Sequence, residues 1–304
     1  VVLSMSNVLN SQIIYPSAFS LSSGSYSFSS WAAASAAGTY PSNMRFYRLS
    51  SQSDPTIVDT IHENYNDAYN LTSGTRINGL GNAGFSFINT GNSVWKTGAA
   101  ILALNTTGRQ NIALSWTGRT VTPNNQIYEI RAFWRIGSSG AWNVLLNGAD
   151  TVRYLRSSTA GDSVRFSSIA LPSATNNQTL VQVCWRYFRS WTNSATGTRA
   201  ELSVGNVHVA SSAMNVPTIS VNLSSIPKRY STLNLPYQID SMTVAGSGLN
   251  DHISINCPSG FQVSLNRSTG FSSTLSLTEN NGAVANTQVF TRFNPGSFGA
   301  FNGN

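Results

Sequence analysis

Val181-Gln182-Val183-Cys184-Trp185-Arg186-Tyr187-Phe188 decides the fold class of this chain. Val181, Val183, Trp185 and Tyr187 fall on one phase of a two-residue period; Gln182, Cys184, Arg186 and Phe188 fall on the other. Successive strand side chains point to opposite faces, so the alternation predicts a strand with one buried and one wetter face. The same pattern sets Ile112, Leu114 and Trp116 against Asn111, Ala113 and Ser115. It also sets Tyr128, Ile130, Ala132 and Trp134 against Glu129, Arg131, Phe133 and Arg135, and Leu202, Val204 and the run to Val209 add another strand. Thr107-Gly108, Pro123-Asn124-Asn125, Gly137-Ser138-Ser139-Gly140, Asn176-Asn177 and Thr196-Gly197 separate these runs at the spacing of an all-β sandwich or jelly roll. Trp31 to Ala37 is the one helix-like stretch, and it is too short and too Ser/Gly-flanked to stand as a helix.

Composition agrees. Only 10% of the 304 residues are charged, and Ser, Thr, Asn and Gly fill the polar positions, as short strands with uncharged outer faces require. The net charge is +7 and the basic excess is arginine, Lys96 and Lys228 being the two lysines. Such a surface favours acidic glycans and other anionic surface polymers, but no basic run exceeds two residues, so no specific nucleic-acid partner is expected. No stretch is long enough to span a bilayer as a helix. A chain opening on Val1 fits a protein matured by signal-peptide removal, and equally a fragment.

A small polar linker, Ala210-Ser211-Ser212-Ala213, precedes Asn215-Val216-Pro217, where a new β domain begins. The expected organisation is an N-terminal extension over 1–23, a jelly-roll-like β-sandwich over 24–213 and an immunoglobulin-like β-sandwich over 214–304. The last of these stops where its closing strand should begin. An open sandwich edge invites another strand. Leu3, Met5 and Leu9 could present one apolar face of such a donor strand, with Ser4 and Ser6 on the other.

The second half also resembles a known group. Pro217-Thr-Ile-Ser-Val221, Thr243-Val-Ala-Gly-Ser-Gly-Leu249, Pro258-Ser-Gly-Phe-Gln-Val-Ser264 and Leu275-Ser-Leu-Thr278 are similar to the immunoglobulin-like modules of Bacteroidota secreted and surface proteins associated with type IX secretion. Tyr26-Ser-Phe-Ser-Ser-Trp31, the segment from Tyr69 to Leu80 and Gly84-Phe-Ser-Phe-Ile-Asn-Thr90 resemble an N-terminal module of the same proteins. The resemblance implies display, spacing or adhesion outside the cell and carries no activity onto particular residues. Relatives add a closing strand after the equivalent of Gly296 to Phe301.

The chemistry-bearing residues do not assemble into a motif. His62, His208 and His252 share no metal-ligand spacing, and no nucleophile elbow, phosphate loop or zinc-protease pattern occurs. Asp59, Glu63 and Asp67 read as solvated loop acids, and Glu129 and Glu201 as partners in surface ion pairs. No catalysis and no cofactor are expected. Trp116, Trp134 and Trp185 stand on the apolar phase and read as core, whereas Trp95, Trp142 and Trp191 lie near turns and are the candidates for stacking on sugar rings.

Two further features bear on an exported protein. Cys184 is on the polar phase of its strand and Cys257 stands at a strand end, so both thiols are expected to be accessible for a disulfide between domains or subunits. Asp59-Thr60-Ile61, Asp150-Thr151-Val152, Asp162-Ser163-Val164 and Asp240-Ser241-Met242 resemble the Asp-Ser/Thr-aliphatic O-glycosylation signal of Bacteroidota. Four of the seven aspartates obey it, which marks Thr60, Thr151, Ser163 and Ser241 as modification sites. The sequence therefore reads as a non-catalytic structural or adhesive cell-surface protein that polymerises head to tail. The alternative is a carbohydrate-binding or spacer module of a larger secreted enzyme.

Overall fold

The structure, a computed structural model, describes residues 13–51, 61–91, 96–190, 196–223, 225, 232–233, 235–297 and 299–301. It divides the chain into two compact units, residues 1–214 and 215–304. Both are built from strands, with no α-helix among the described residues.

The principal strands of the first unit are β1 (Tyr26–Phe28), β2 (Met44–Leu49), β3 (Ile61–Asn64), β4 (Arg76–Gly79), β5 (Phe85–Ile88), β6 (Lys96–Asn105), β7 (Arg109–Thr122), β8 (Tyr128–Ile136), β9 (Ser163–Ala170), β10 (Val181–Arg189) and β11 (Glu201–Ala213). One sheet runs β8-β10-β6-β2-β3, with the short strands Asn143–Val144 and Arg153–Leu155 on the outer edge of β8 and Phe19–Ser20 parallel to the end of β6. The other runs β9-β7-β11-β5-β4, with β1 also on β11.

The two sheets face each other across one core. Val181, Val183, Trp185 and Tyr187 of β10 enter it from the first sheet, and Ile112, Leu114 and Trp116 of β7 from the second. Aromatic rings carry much of the packing: Trp116 stacks on Phe166 at 4.5 Å, Tyr128 on Tyr187 at 4.6 Å, and Phe46 of one sheet meets Phe85 of the other at 4.5 Å. Such pairs add about 0.5–1.5 kcal/mol each beyond the area they bury.

The predicted wet face of β10 is not wet. Gln182, Cys184, Arg186 and Phe188 are all buried. They belong to a second layer on the outer face of the first sheet, where Tyr47, Leu49, Ala99, Ile101, Phe133, Trp142 and Cys184 form their own cluster. A strap of residues 13–15 closes part of it. Ile13 and Tyr15 pack on the cluster, the Tyr47 hydroxyl donates to the Ile14 carbonyl at 2.8 Å, and the Ile14 amide donates to Asn64 Oδ1 at 3.3 Å.

The strap also corrects the expected N-terminal extension. Residues 13–23 are integral to the first unit: Phe19–Ser20 adds to a sheet, and Leu21 is wholly buried in the main core. Short apolar segments without alternation hid this role.

The second unit contains β12 (Thr218–Val221), β13 (Tyr237–Ser247), β14 (Ile253–Asn256), β15 (Phe261–Ser264), β16 (Thr274–Leu277) and β17 (Ala283–Phe293). A four-stranded sheet, β12-β13-β17-β15, faces a two-stranded one, β14-β16. Val244, Val263, Val284 and Val289 from the first pack with Ile253 and Leu277 from the second in a small core.

Candidate functional site

The unequal sheets of the second unit leave part of its inner surface bare. Neighbouring strands lie about 4.8 Å apart, so a pair spans about 5 Å between axes where four strands span about 14 Å. In antiparallel pairs, directly opposite residues project to the same face. Val221 is opposite Val244, which is buried in the core, so Val221 is on the inner face. Ile219 is opposite Gly246, where a Cβ would lie 3.0 Å from the Ile253 side chain, so Ile219 is on that face too. Yet Ile219 is 59% and Val221 47% exposed. They form an inward-facing strip that β14 and β16 do not reach. Beside it, β12 has one unpaired edge, as does β14, among the described strands. The strip therefore offers ladder groups and apolar contacts together.

Glu63, Asp67, Glu129 and Glu201 of the first unit are engaged with neighbours. Glu129 is almost wholly buried and holds Arg131 at 2.6 Å and Arg153 at 3.1 Å, so it forms a buried cluster where a surface pair was expected. Glu201, on the opposite sheet, accepts from the Ser86 hydroxyl at 2.6 Å. Glu63 and Asp67 both pair with Arg48. His62 and His252 are exposed and His208 half-buried. Among the described residues, no group of His, Cys, Asp and Glu is arranged to hold a metal ion.

Trp142 is 9% exposed, with its ring 4.3 Å from the Arg135 guanidinium. It is part of the second layer, which corrects its expected role as an open platform for sugars. Trp95 and Trp191 lie outside the described residues, as do Leu3, Met5 and Leu9 of the donor segment and Thr60 of the glycosylation set. Of the other hydroxyls in that set, Ser163 and Ser241 are exposed and Thr151 is half-buried in a two-residue strand.

Both cysteines are free. Cys184 is wholly enclosed by the second layer, and burial pushes its thiol far above the ordinary range. Its expected exposure, and with it a disulfide joining Cys184 to Cys257 or to another subunit, is therefore corrected: the polar phase of β10 is covered by the strap and Trp142. Cys257 is half-buried, and burial raises its thiol as well. Reactivity follows thiolate character and access. Iodoacetamide is therefore expected to label one thiol per folded chain, at Cys257, and both thiols in guanidinium chloride. Peptide mass spectrometry checks this, and labelling of Cys184 in the folded protein would contradict its enclosure.

No protein-family model matches the sequence, and no curated protein matches it. Among solved structures, a mutant of Xylanase10C from Cellvibrio japonicus in complex with xylopentaose is similar at 17% identity with a TM-score of 0.26, over 48% of this chain and 27% of that one. That TM-score is too low for the likeness to bear on fold or activity.

Proposed function

We propose that this chain is a non-catalytic structural or adhesive protein of the cell surface, whose second unit takes up a strand from a neighbouring copy. The observation that carries this reading is the bare inner-face strip, Ile219 and Val221, next to unpaired strand edges. Covering side chains of that size contributes about 1.5–3 kcal/mol each when burial is complete. A strand laid along an open edge adds ladder bonds, and pockets for its alternate side chains set the register. The donor in this reading is residues 1–10, where Leu3 and Met5 alternate with Ser4 and Ser6. The contact joins different surfaces of two copies, so repetition gives an open fibre. The low charge and the Asp-Ser/Thr-aliphatic sites suit an exported, glycosylated surface.

Removing residues 1–10 tests it. The full chain should form head-to-tail oligomers in sedimentation and negative-stain images, and the shortened chain should be monomeric. All seven tryptophans lie in the first unit, so unchanged tryptophan emission would show that the shortening left that unit folded. Added peptide of sequence 1–10 should bind the shortened chain. A full chain that stays monomeric at high concentration, or a shortened chain that still assembles, would overturn the reading.

A further inference from the structure

The outer face of the first sheet is rich in donors and poor in acceptors. Register places Arg131, Arg135, Arg153 and Arg186 on the same phase as Phe133 and Cys184, with Glu129 the one carboxylate among them. Arg135 lies between two rings, 4.9 Å from Tyr15 and 4.3 Å from Trp142, and its Nε donates to Gln182 Oε1 at 2.8 Å. Arg135 Nη2, Gln182 Nε2 and Arg131 Nε are buried without a hydrogen-bond partner.

At the rim of this face a cleft of about 390 Å³ opens between the strap and the start of β2. That volume is at the small end of ligand sites. Tyr15 and Tyr40, both half-buried, give it aromatic walls over the buried Pro16 and Pro41, and Asn43 and Arg45 give it polar groups. Tyr15 thus belongs both to the cleft and to the stack on Arg135. The cleft is built rather than incidental. Asn43 Nδ2 donates to the Ser17 carbonyl at 3.0 Å, tying strap to rim, and the Tyr40 hydroxyl donates to the Tyr65 carbonyl at 2.6 Å, fixing the ring. The Arg45 guanidinium carbon lies 4.7 Å from the Tyr40 ring centroid, and no carboxylate pairs with Arg45 among the described residues. A guanidinium held by a ring is pre-ordered, and its planar fork matches a carboxylate.

We propose that this cleft binds a carboxylated sugar, a uronate of an acidic polysaccharide, with Arg45 pairing the carboxylate and the Tyr15 ring packing on the apolar face of the sugar. The Trp142 platform expected from the sequence is replaced by this site, and the inference is independent of strand addition by the second unit. Two tyrosine rings around one fork suit a charged ring better than a phosphate backbone, which calls for a track of cations along a groove.

Calorimetric titration of the intact chain with trigalacturonate tests it, with neutral galactotriose and a thymidine oligonucleotide as comparators. Saturable binding of trigalacturonate, and of neither comparator, is expected. Arg45→Gln should lower the affinity at least about tenfold, the loss of one charge-assisted bidentate contact, and Arg45→Lys should fall between it and wild type. Arg267→Gln removes the same charge from an exposed site in the second unit and should change nothing. Equal losses in the Arg45 and Arg267 variants would reduce the effect to net charge and overturn the proposal. So would oligonucleotide binding as tight as that of trigalacturonate, or no saturable binding of the uronate at millimolar concentration.

Discussion

Trp185→Ala is expected to destabilise the first unit by about 3–5 kcal/mol, the range for truncating a fully buried aromatic side chain in a core that cannot collapse around the gap. Trp185 is wholly buried, on β10 between β8 and β6, and its ring meets Trp116 edge-on at 6.3 Å. Its indole N–H is buried without a hydrogen-bond partner, so the loss is one of packing. Trp185→Phe keeps most of the apolar volume and should lose less than half as much. Urea unfolding followed by tryptophan emission reads this unit alone, because every tryptophan lies within it. A loss below about 1 kcal/mol for Trp185→Ala would be incompatible with a core position for Trp185.

Gly84→Ala is the second large effect. Gly84 lies in the turn between β4 and β5 at φ +85°, and a Cβ there would stand 2.0 Å from the Val204 carbonyl oxygen and 2.7 Å from Gly205 Cα, both backbone atoms of β11. Backbone in a sheet has no rotamer with which to move aside, so β5 must part from β11 or the turn must refold. Gly81, in the same turn, has φ +58° and open space around its would-be Cβ. Gly81→Ala should therefore cost only the left-handed strain, about 1–2 kcal/mol. Gly84→Ala should cost that plus the overlap, about 3 kcal/mol or more. Equal midpoints for the two variants in the same urea assay would show that the close approach to β11 does not limit stability.

The alternation in β7, β8 and β10 was enough to read all-β architecture, because a two-residue period reports directly which side chains share a face. Trp116 and Trp185 were legible as core for that reason. Ala210-Ser211-Ser212-Ala213, expected as a linker, is instead the end of β11 and pairs with β7 through Ala210, Ser212 and Ala213, because its small polar residues suit an outer strand face as well as a connection; the division between the units follows Met214. Periodicity names the two faces of a strand; it does not say whether a distant segment covers the second one. Ile13, Tyr15 and Trp142 are far in sequence from Cys184, and only their packing over the outer sheet face turned its polar phase into a buried layer and removed Trp142 from the surface. The apolar run at 13–16 was a visible signal for such a cover, but nothing local specified what it would cover. The cleft at Arg45 has the same origin, since the strap and the start of β2 meet through side-chain bonds spanning some thirty residues, of which Asn43 to Ser17 is one. The bare strip in the second unit stands between these cases. Ile219 and Val221 alternate in the sequence as an inward face must, but their exposure was decided by the width of the opposing sheet, which two strands cannot extend over four.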